Sequence, residues 1–232
     1  INQRAYMFYR KCFTYSYNIR LFWYIYFGNI QFYFVISFNY CAHMFLKKKK
    51  YFFIIESIKD IQLKHIKNFG KFSIIYRNNI EENIDKLKRF RLECKLKKIP
   101  LFIANNIKLL KILKADGIYI SAYNKKLNLN YLNKSFKIIG SAHNIREVNI
   151  KKKQKCSHIF LSRIFETSYP FKNGYLGVVK FNLFSKLINT KLVPLGGINV
   201  NNLLKLQNVN CEAIAMSSLI KQKNFKFFNN LK

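Results

Sequence analysis

Two adjacent glycines, Gly196 and Gly197, close the apolar run Leu192-Val193-Pro194-Leu195 and lead through Ile198-Asn199 into a helical-looking stretch from Val200 to Leu206. A strand that ends in two glycines and restarts as a helix turns unpaired backbone N–H groups toward the strand's end, with no Cβ in the way. That chemistry seats a phosphate. About fifteen residues later Ala213-Ile214-Ala215-Met216 repeats the plan and ends in two hydroxyl residues, Ser217 and Ser218.

The residues just past the other apolar runs are of the same kind. They include Arg77, Asn105, Ser121 with Asn124, Ser141 with His143, and Thr167. Amide, hydroxyl and guanidinium donors dominate and carboxylates are few, which suits an anionic ligand better than a hydrolysis needing paired acids. Arg77, directly after an apolar strand, is expected to contact an anion. His143 beside Ser141 is a candidate general acid or base, with a helix-capping role as the alternative. Asn105 and Asn124 either fix the hydrogen bonds of a ring or make turns.

These positions need a scaffold that brings strand ends together. From Tyr51 onward short apolar runs alternate with longer amphipathic ones, the texture of βα units around a parallel sheet. Strands are predicted at 51–55, 72–76, 100–103, 117–120, 137–140, 158–161, 192–195 and 213–216. Helices are predicted at 58–69, 80–97, 107–114, 145–154, 181–188 and 200–206, while 125–135 reads as a loop with one helical turn. Eight strands with right-handed crossovers are accommodated most simply by a closed α/β barrel, a (β/α)8 TIM barrel, whose chemistry lies at the carboxyl ends of the strands. An open doubly wound sheet is the alternative, but no G-x-G-x-x-G follows the first strand.

Composition narrows the partners. The chain has 232 residues, Lys+Arg 42 against Asp+Glu 10, and a formal charge of +32. Such a balance ordinarily points to nucleic acid or an anionic membrane. Here the lysines accompany abundant Asn, Ile, Phe and Tyr, without a basic stripe interleaved with aromatics or zinc-finger spacing, so nucleic acid is not the expected partner. Small phosphorylated compounds are. The five cysteines are scattered and never form C-x-x-C, which fits a reducing cytoplasm.

Residues 1–50 differ from the remainder. The stretch from Leu21 to Leu46 carries no formal charge, is long enough to span a bilayer, and ends in Lys47 to Lys50. Its many aromatics and its Asn, Gln and Ser interruptions favour an appended hydrophobic extension over a membrane anchor, with the barrel occupying 51–232. The oligomeric state is not legible.

In order and spacing, these landmarks resemble the thiamine phosphate synthase/TenI superfamily over about residues 51 to 220. They are Ile74-Ile75-Tyr76-Arg77, Pro100 to Asn105, Ala115-Asp116-Gly117-Ile118-Tyr119-Ile120, Ile139 to His143, Ile164-Phe165-Glu166-Thr167, Leu195-Gly196-Gly197-Ile198-Asn199 and Ala215-Met216-Ser217-Ser218. The resemblance implies a single (β/α)8 barrel. It also implies a transferase that couples a pyrimidine methyl diphosphate to a thiazole phosphate, releasing pyrophosphate. By the same resemblance Arg77 holds the diphosphate, Ser141 lies near the reacting centre, Thr167 faces the thiazole phosphate, and Gly197 and Ser218 cradle a phosphate. The family's Mg²⁺-serving aspartates correspond to Asn105 and Asn124, which weakens the expectation of Mg²⁺. The sister branch, a thiazole tautomerase that needs no metal, resembles the chain in His143 and Ile164-Phe165-Glu166-Thr167. A non-catalytic phosphate-ester-binding barrel is the third reading.

Overall fold

The eight apolar runs pair side by side, each parallel to the one before it, and the eighth returns to the first. In the computed structural model they are β1 (Lys50–Ile55), β2 (Phe72–Tyr76), β3 (Leu101–Ala104), β4 (Gly117–Ile120), β5 (Lys137–Ala142), β6 (His158–Ser162), β7 (Leu192–Leu195) and β8 (Ala213–Met216). They form a closed barrel in the order β1 to β8. Closure is made by β1 on β8, with Lys50 opposite Ala213 and Phe53 opposite Met216. The structure describes residues 48–66, 69–77, 82–126, 136–167, 174–199 and 201–217. All of them fall in the unit spanning 40–232. The apolar run from Leu21 to Leu46, Ser218 and most of 125–135 lie outside the described residues.

Alternation along each strand sorts side chains to two cores. Phe52, Ile54, Ile75, Phe102, Tyr119, Ile139, Phe160, Val193, Ala213 and Ala215 fill the inside of the cylinder. The ring of Phe160 lies 5.0 Å from that of Phe52 and 5.7 Å from that of Tyr119, so the axis is plugged by aromatics. The opposite faces, among them Tyr51, Phe53, Ile74, Leu101, Ile118 and Ile159, pack outward under the helices and loops.

Among the described residues four α-helices cover the outside: α1 (Ile84–Leu96), α2 (Ile107–Ile112), α3 (Ile145–Lys153) and α4 (Gly177–Leu187). The first three begin on asparagines whose side chains accept from the first turn: Asn83 from Asp85 N, Asn106 from Leu109 N and Asn144 from Glu147 N. Among the described residues no helix is long and apolar enough to cross a membrane.

Two expected helices do not form, and one begins early. The stretch expected to be helical over 58–69 is three single 3₁₀ turns, Ile58–Asp60, Leu63–His65 and Phe69–Lys71. Its buried residues Ile61, Leu63 and Ile66 are not spaced as one helical face, and extended backbone at Ile61 and Ile66 separates the turns. The segment after the paired glycines is a 3₁₀ stretch, Leu203–Asn208, rather than a helix over 200–206. The final helix starts at Gly177, four residues before the expected 181, because Gly177 takes a positive φ of 67° as the chain turns into it.

Candidate functional site

Because all strands are parallel and the barrel is closed, the residues just beyond each strand share one mouth. Arg77 follows β2, Asn105 follows β3, and Ser121 and Asn124 follow β4. His143 follows β5, Thr167 lies on the loop after β6, Gly196 and Gly197 follow β7, and Ser217 follows β8. Ser141 lies inside β5, on the same face as the interior residue Ile139, and is 6% exposed.

Arg77 is the best-defined cation of the mouth. Its Nη2 donates to Glu56 Oε1 at 2.8 Å, while its Nε is buried and lacks an acceptor among the described residues. A buried guanidinium N–H without a partner is costly, and an anionic ligand would supply the missing acceptor. The same charge reaches Tyr119, whose phenol pKa is raised by burial and pulled back by a hydrogen bond with Ser141 and by Arg77. Arg77, Tyr119 and Ser141 thus form one electrostatic group. Glu82 steadies the adjoining turn, accepting from Ser57 Oγ at 2.5 Å and Tyr76 OH at 2.7 Å.

Asn105 and Asn124 are brought together with Ser121. Asn105 Oδ1 accepts from Ser121 N at 3.1 Å, Ser121 Oγ at 3.2 Å and Asn124 Nδ2 at 3.3 Å, while Asn105 Nδ2 donates to Ser121 Oγ at 2.8 Å and Tyr123 OH at 3.3 Å. Asn105 adopts φ of 53°, the left-handed region that asparagine tolerates better than most residues. A hard divalent cation wants oxygens with open lone pairs, preferably anionic. This pair is neutral, and Asn105 Oδ1 already takes three donors, so the residues present do not fit Mg²⁺. Among the described residues, no group of three His, Cys, Asp or Glu is placed to hold a metal.

His143 is half exposed. Its Nδ1 lies 3.0 Å from Glu147 Oε2, and the same oxygen accepts from the His143 amide at 2.7 Å. Neighbouring Asn144 caps α3, so the capping role belongs to it and the imidazole is left to the carboxylate.

The glycine pair differs from the helix-terminus seat expected for it. Asn199 N donates to Asn202 Oδ1 and Asn202 N to Asn199 Oδ1, while Asn202 Nδ2 donates to Gly197 O. The turn is therefore knotted by asparagines, and a short 3₁₀ stretch follows. Gly196 and Gly197 take φ of 92° and 71°. A Cβ on Gly197 would stand 2.3 Å from the carbonyl oxygens of Phe165 and Glu166, so the loop after β6 by itself requires glycine there. The Gly196 and Gly197 amides are nonetheless left without acceptors among the described residues.

Thr167 lies in a cavity of about 650 Å³ whose walls include Glu166, Tyr175, Asn199, Asn202 and Lys205. Arg163 fastens it, donating from Nη1 to Thr167 Oγ1 at 2.8 Å and from Nη2 to Gly174 O at 2.7 Å.

Sequence reasoning placed Arg163 at the end of the sixth strand without a role, and passed over Tyr119 and Glu82 as site residues. The signal for Tyr119 was its parity in Gly117-Ile118-Tyr119-Ile120. Glu82 and the fastening role of Arg163 left no local signal.

A closed parallel barrel with a mouth of guanidinium, carboxamide and hydroxyl groups defines a class of (β/α)8 proteins suited to anionic ligands. The family described as thiamine monophosphate synthase matches residues 57–220, and the chain belongs to that family. It is similar to the thiamine-phosphate synthase of Clostridium tetani, 29% identical over 129 residues that make up 54% of this chain and 61% of that protein. It is also similar to that of Prochlorococcus marinus subsp. pastoris, 32% identical over 123 residues, 51% of this chain and 34% of that protein. The matched stretch thus spans less than two thirds of either relative. In fold, the chain is similar to a thiamine phosphate pyrophosphorylase from Pyrococcus furiosus, with a TM-score of 0.61 at 14% identity, over 81% of this chain and 97% of that one.

Proposed function

We propose that the chain acts in thiamine biosynthesis in the cytoplasm, as a transferase joining a pyrimidine methyl diphosphate to a thiazole phosphate. The C–O bond between the pyrimidine methylene and the diphosphate breaks, and pyrophosphate leaves with the electron pair. The thiazole ring nitrogen gives its lone pair to the methylene, forming the C–N bond of thiamine phosphate. No proton moves, so catalysis comes from orientation and from stabilising the leaving group.

The buried, acceptorless Nε of Arg77 carries this reading, because it is a donor set aside for a group from outside the chain. Arg77 takes the diphosphate. Ser141 and Tyr119 border the reacting carbon, and the Asn105–Asn124 pair orients a ring. Thr167 and the Gly196, Gly197 and Ser217 turns take the thiazole phosphate. Mixing the full chain with both precursors, with and without EDTA, and measuring thiamine phosphate and pyrophosphate by mass spectrometry tests it. Equal amounts of both products are expected; no product at any divalent-cation concentration overturns the proposal.

The His143–Glu147 pair favours a second reading, thiazole tautomerisation. With Nδ1 held by the carboxylate, Nε2 is the ring nitrogen left to exchange a proton with a ligand. Isomerisation of the thiazole phosphate in EDTA that disappears in His143→Ala would establish this reaction instead. Tight phosphate-ester binding with neither reaction would leave a binding module.

A further inference from the structure

Helix α3 turns Val148 and Lys151 toward the barrel, and both are wholly buried. If packing alone were at stake, a leucine or methionine would fill the space without the cost of desolvating a charge. Lys151 instead spends its three donors on three oxygens. Nζ lies 2.7 Å from Ser121 O, 2.8 Å from Asn124 O and 3.0 Å from Gln154 Oε1. Gln154, also wholly buried, donates from Nε2 to Asn124 O at 3.0 Å and to Lys126 O at 2.8 Å.

Both side chains therefore grip one short segment, 121–126, which follows β4. Ser121, Tyr123 and Asn124 of that segment bond to Asn105 at the end of the neighbouring strand. Space for the lysine stem comes from Gly140 on β5, where a Cβ would lie 2.9 Å from Lys151 Cδ and 2.9 Å from Cys156 Sγ.

We propose that Lys151 is a positioning residue of the mouth. By holding the carbonyls of Ser121 and Asn124 from behind, its ammonium fixes the Asn105–Ser121–Asn124 wall in the orientation that meets a ligand. Gln154 is its partner in the grip and Gly140 makes the room. The ligand side of this statement rests on the reading of the mouth given above; the positioning of the wall does not.

The test uses the full chain, Lys151→Met, Asn124→Ala and the double variant, with two measurements. Without ligand, amide exchange over 121–126 should quicken by about tenfold in Lys151→Met while β4 and α3 keep their rates. Gln154→Leu, which loosens the same carbonyl but leaves the ammonium in place, should move the same amides in the same direction if Lys151→Met does not fold. With thiazole phosphate as the calorimetric probe, each single variant should bind about tenfold more weakly, and the double variant no more weakly than either, because both act through one group.

Unchanged exchange in the segment, or losses that multiply in the double variant, would overturn the proposal. Failure of the unaltered chain to bind thiazole phosphate would strike the functional reading alone, and the exchange rates would still decide the role of Lys151.

Discussion

Arg77 and Glu56 meet at the ends of neighbouring strands, Nη2 to Oε1 at 2.8 Å, and the carboxylate holds one edge of the guanidinium while Nε stays buried without an acceptor. The ion pair is partly exposed, so its own contribution to stability is small. Its effect is to orient the guanidinium. Arg77→Lys keeps the charge but loses the Nε donor, and is expected to weaken pyrophosphate binding by about tenfold, with Arg77→Ala weaker still. Calorimetric titration of pyrophosphate checks the order; equal affinity for Arg77→Lys and the unaltered chain would remove Nε from the site.

Gly197 separates the needs of folding from those of binding. A methyl group there would stand 2.3 Å from two carbonyl oxygens, on backbone of positive φ. Gly197→Ala is expected to cost about 3 kcal/mol or more in urea unfolding. Ser217→Ala, on the neighbouring strand end, should leave the unfolding midpoint within about 0.5 kcal/mol and lower only phosphate-ester affinity.

The buried lysine gives the stability curve a readable slope. Burial, the first cause, pulls the Lys151 pKa from 10.5 down to about 8, partly offset by Cys156 and Glu147. Between those two values the unfolded chain binds the extra proton, so this group's contribution rises with pH from about 8 to 10.5. The buried thiols act oppositely. Burial pushes Cys94 and Cys156 from 9.0 to about 12 and Cys211 to about 11, so the unfolded chain sheds their protons first and stability falls above pH 9. Of these four groups the three thiols outweigh the one ammonium above pH 9. Subtracting the curve of Lys151→Met from that of the unaltered chain isolates the rising limb; a flat difference between pH 8 and 10 would contradict it.

Asp116 is a structural carboxylate that accepts from three donors on two residues. Arg91 donates to it from Nη1 at 2.7 Å and from Nη2 at 3.1 Å, and the Leu101 amide donates at 2.7 Å. The group ties α1 to the starts of β3 and β4, away from the mouth. Asp116→Ala is expected to lose about 2 kcal/mol of stability without changing ligand affinity, measured by urea titration and calorimetry on the same sample.

How much of this was legible depends on the range over which each element is determined. Strand residues buried on both faces read as unbroken apolar runs, so Phe72–Tyr76 and Leu192–Leu195 were placed to the residue. The stretch from Ile58 to Phe69 looked helical because it mixes apolar and charged residues. What governs it is the reciprocal Ser57–Asp60 cap and the tie from Glu82, a residue far along the chain. The mouth residues were readable because a parallel barrel assigns every strand end to one side. Lys151 was not: among 42 basic residues a lysine reads as solvent-facing, and nothing local records that Gly140 leaves room for it.

The aromatic plug formed by Phe52, Phe160 and Tyr119 makes the cylinder a cup with a solid floor. Any ligand must therefore enter and leave by the single opening at the strands' carboxyl ends.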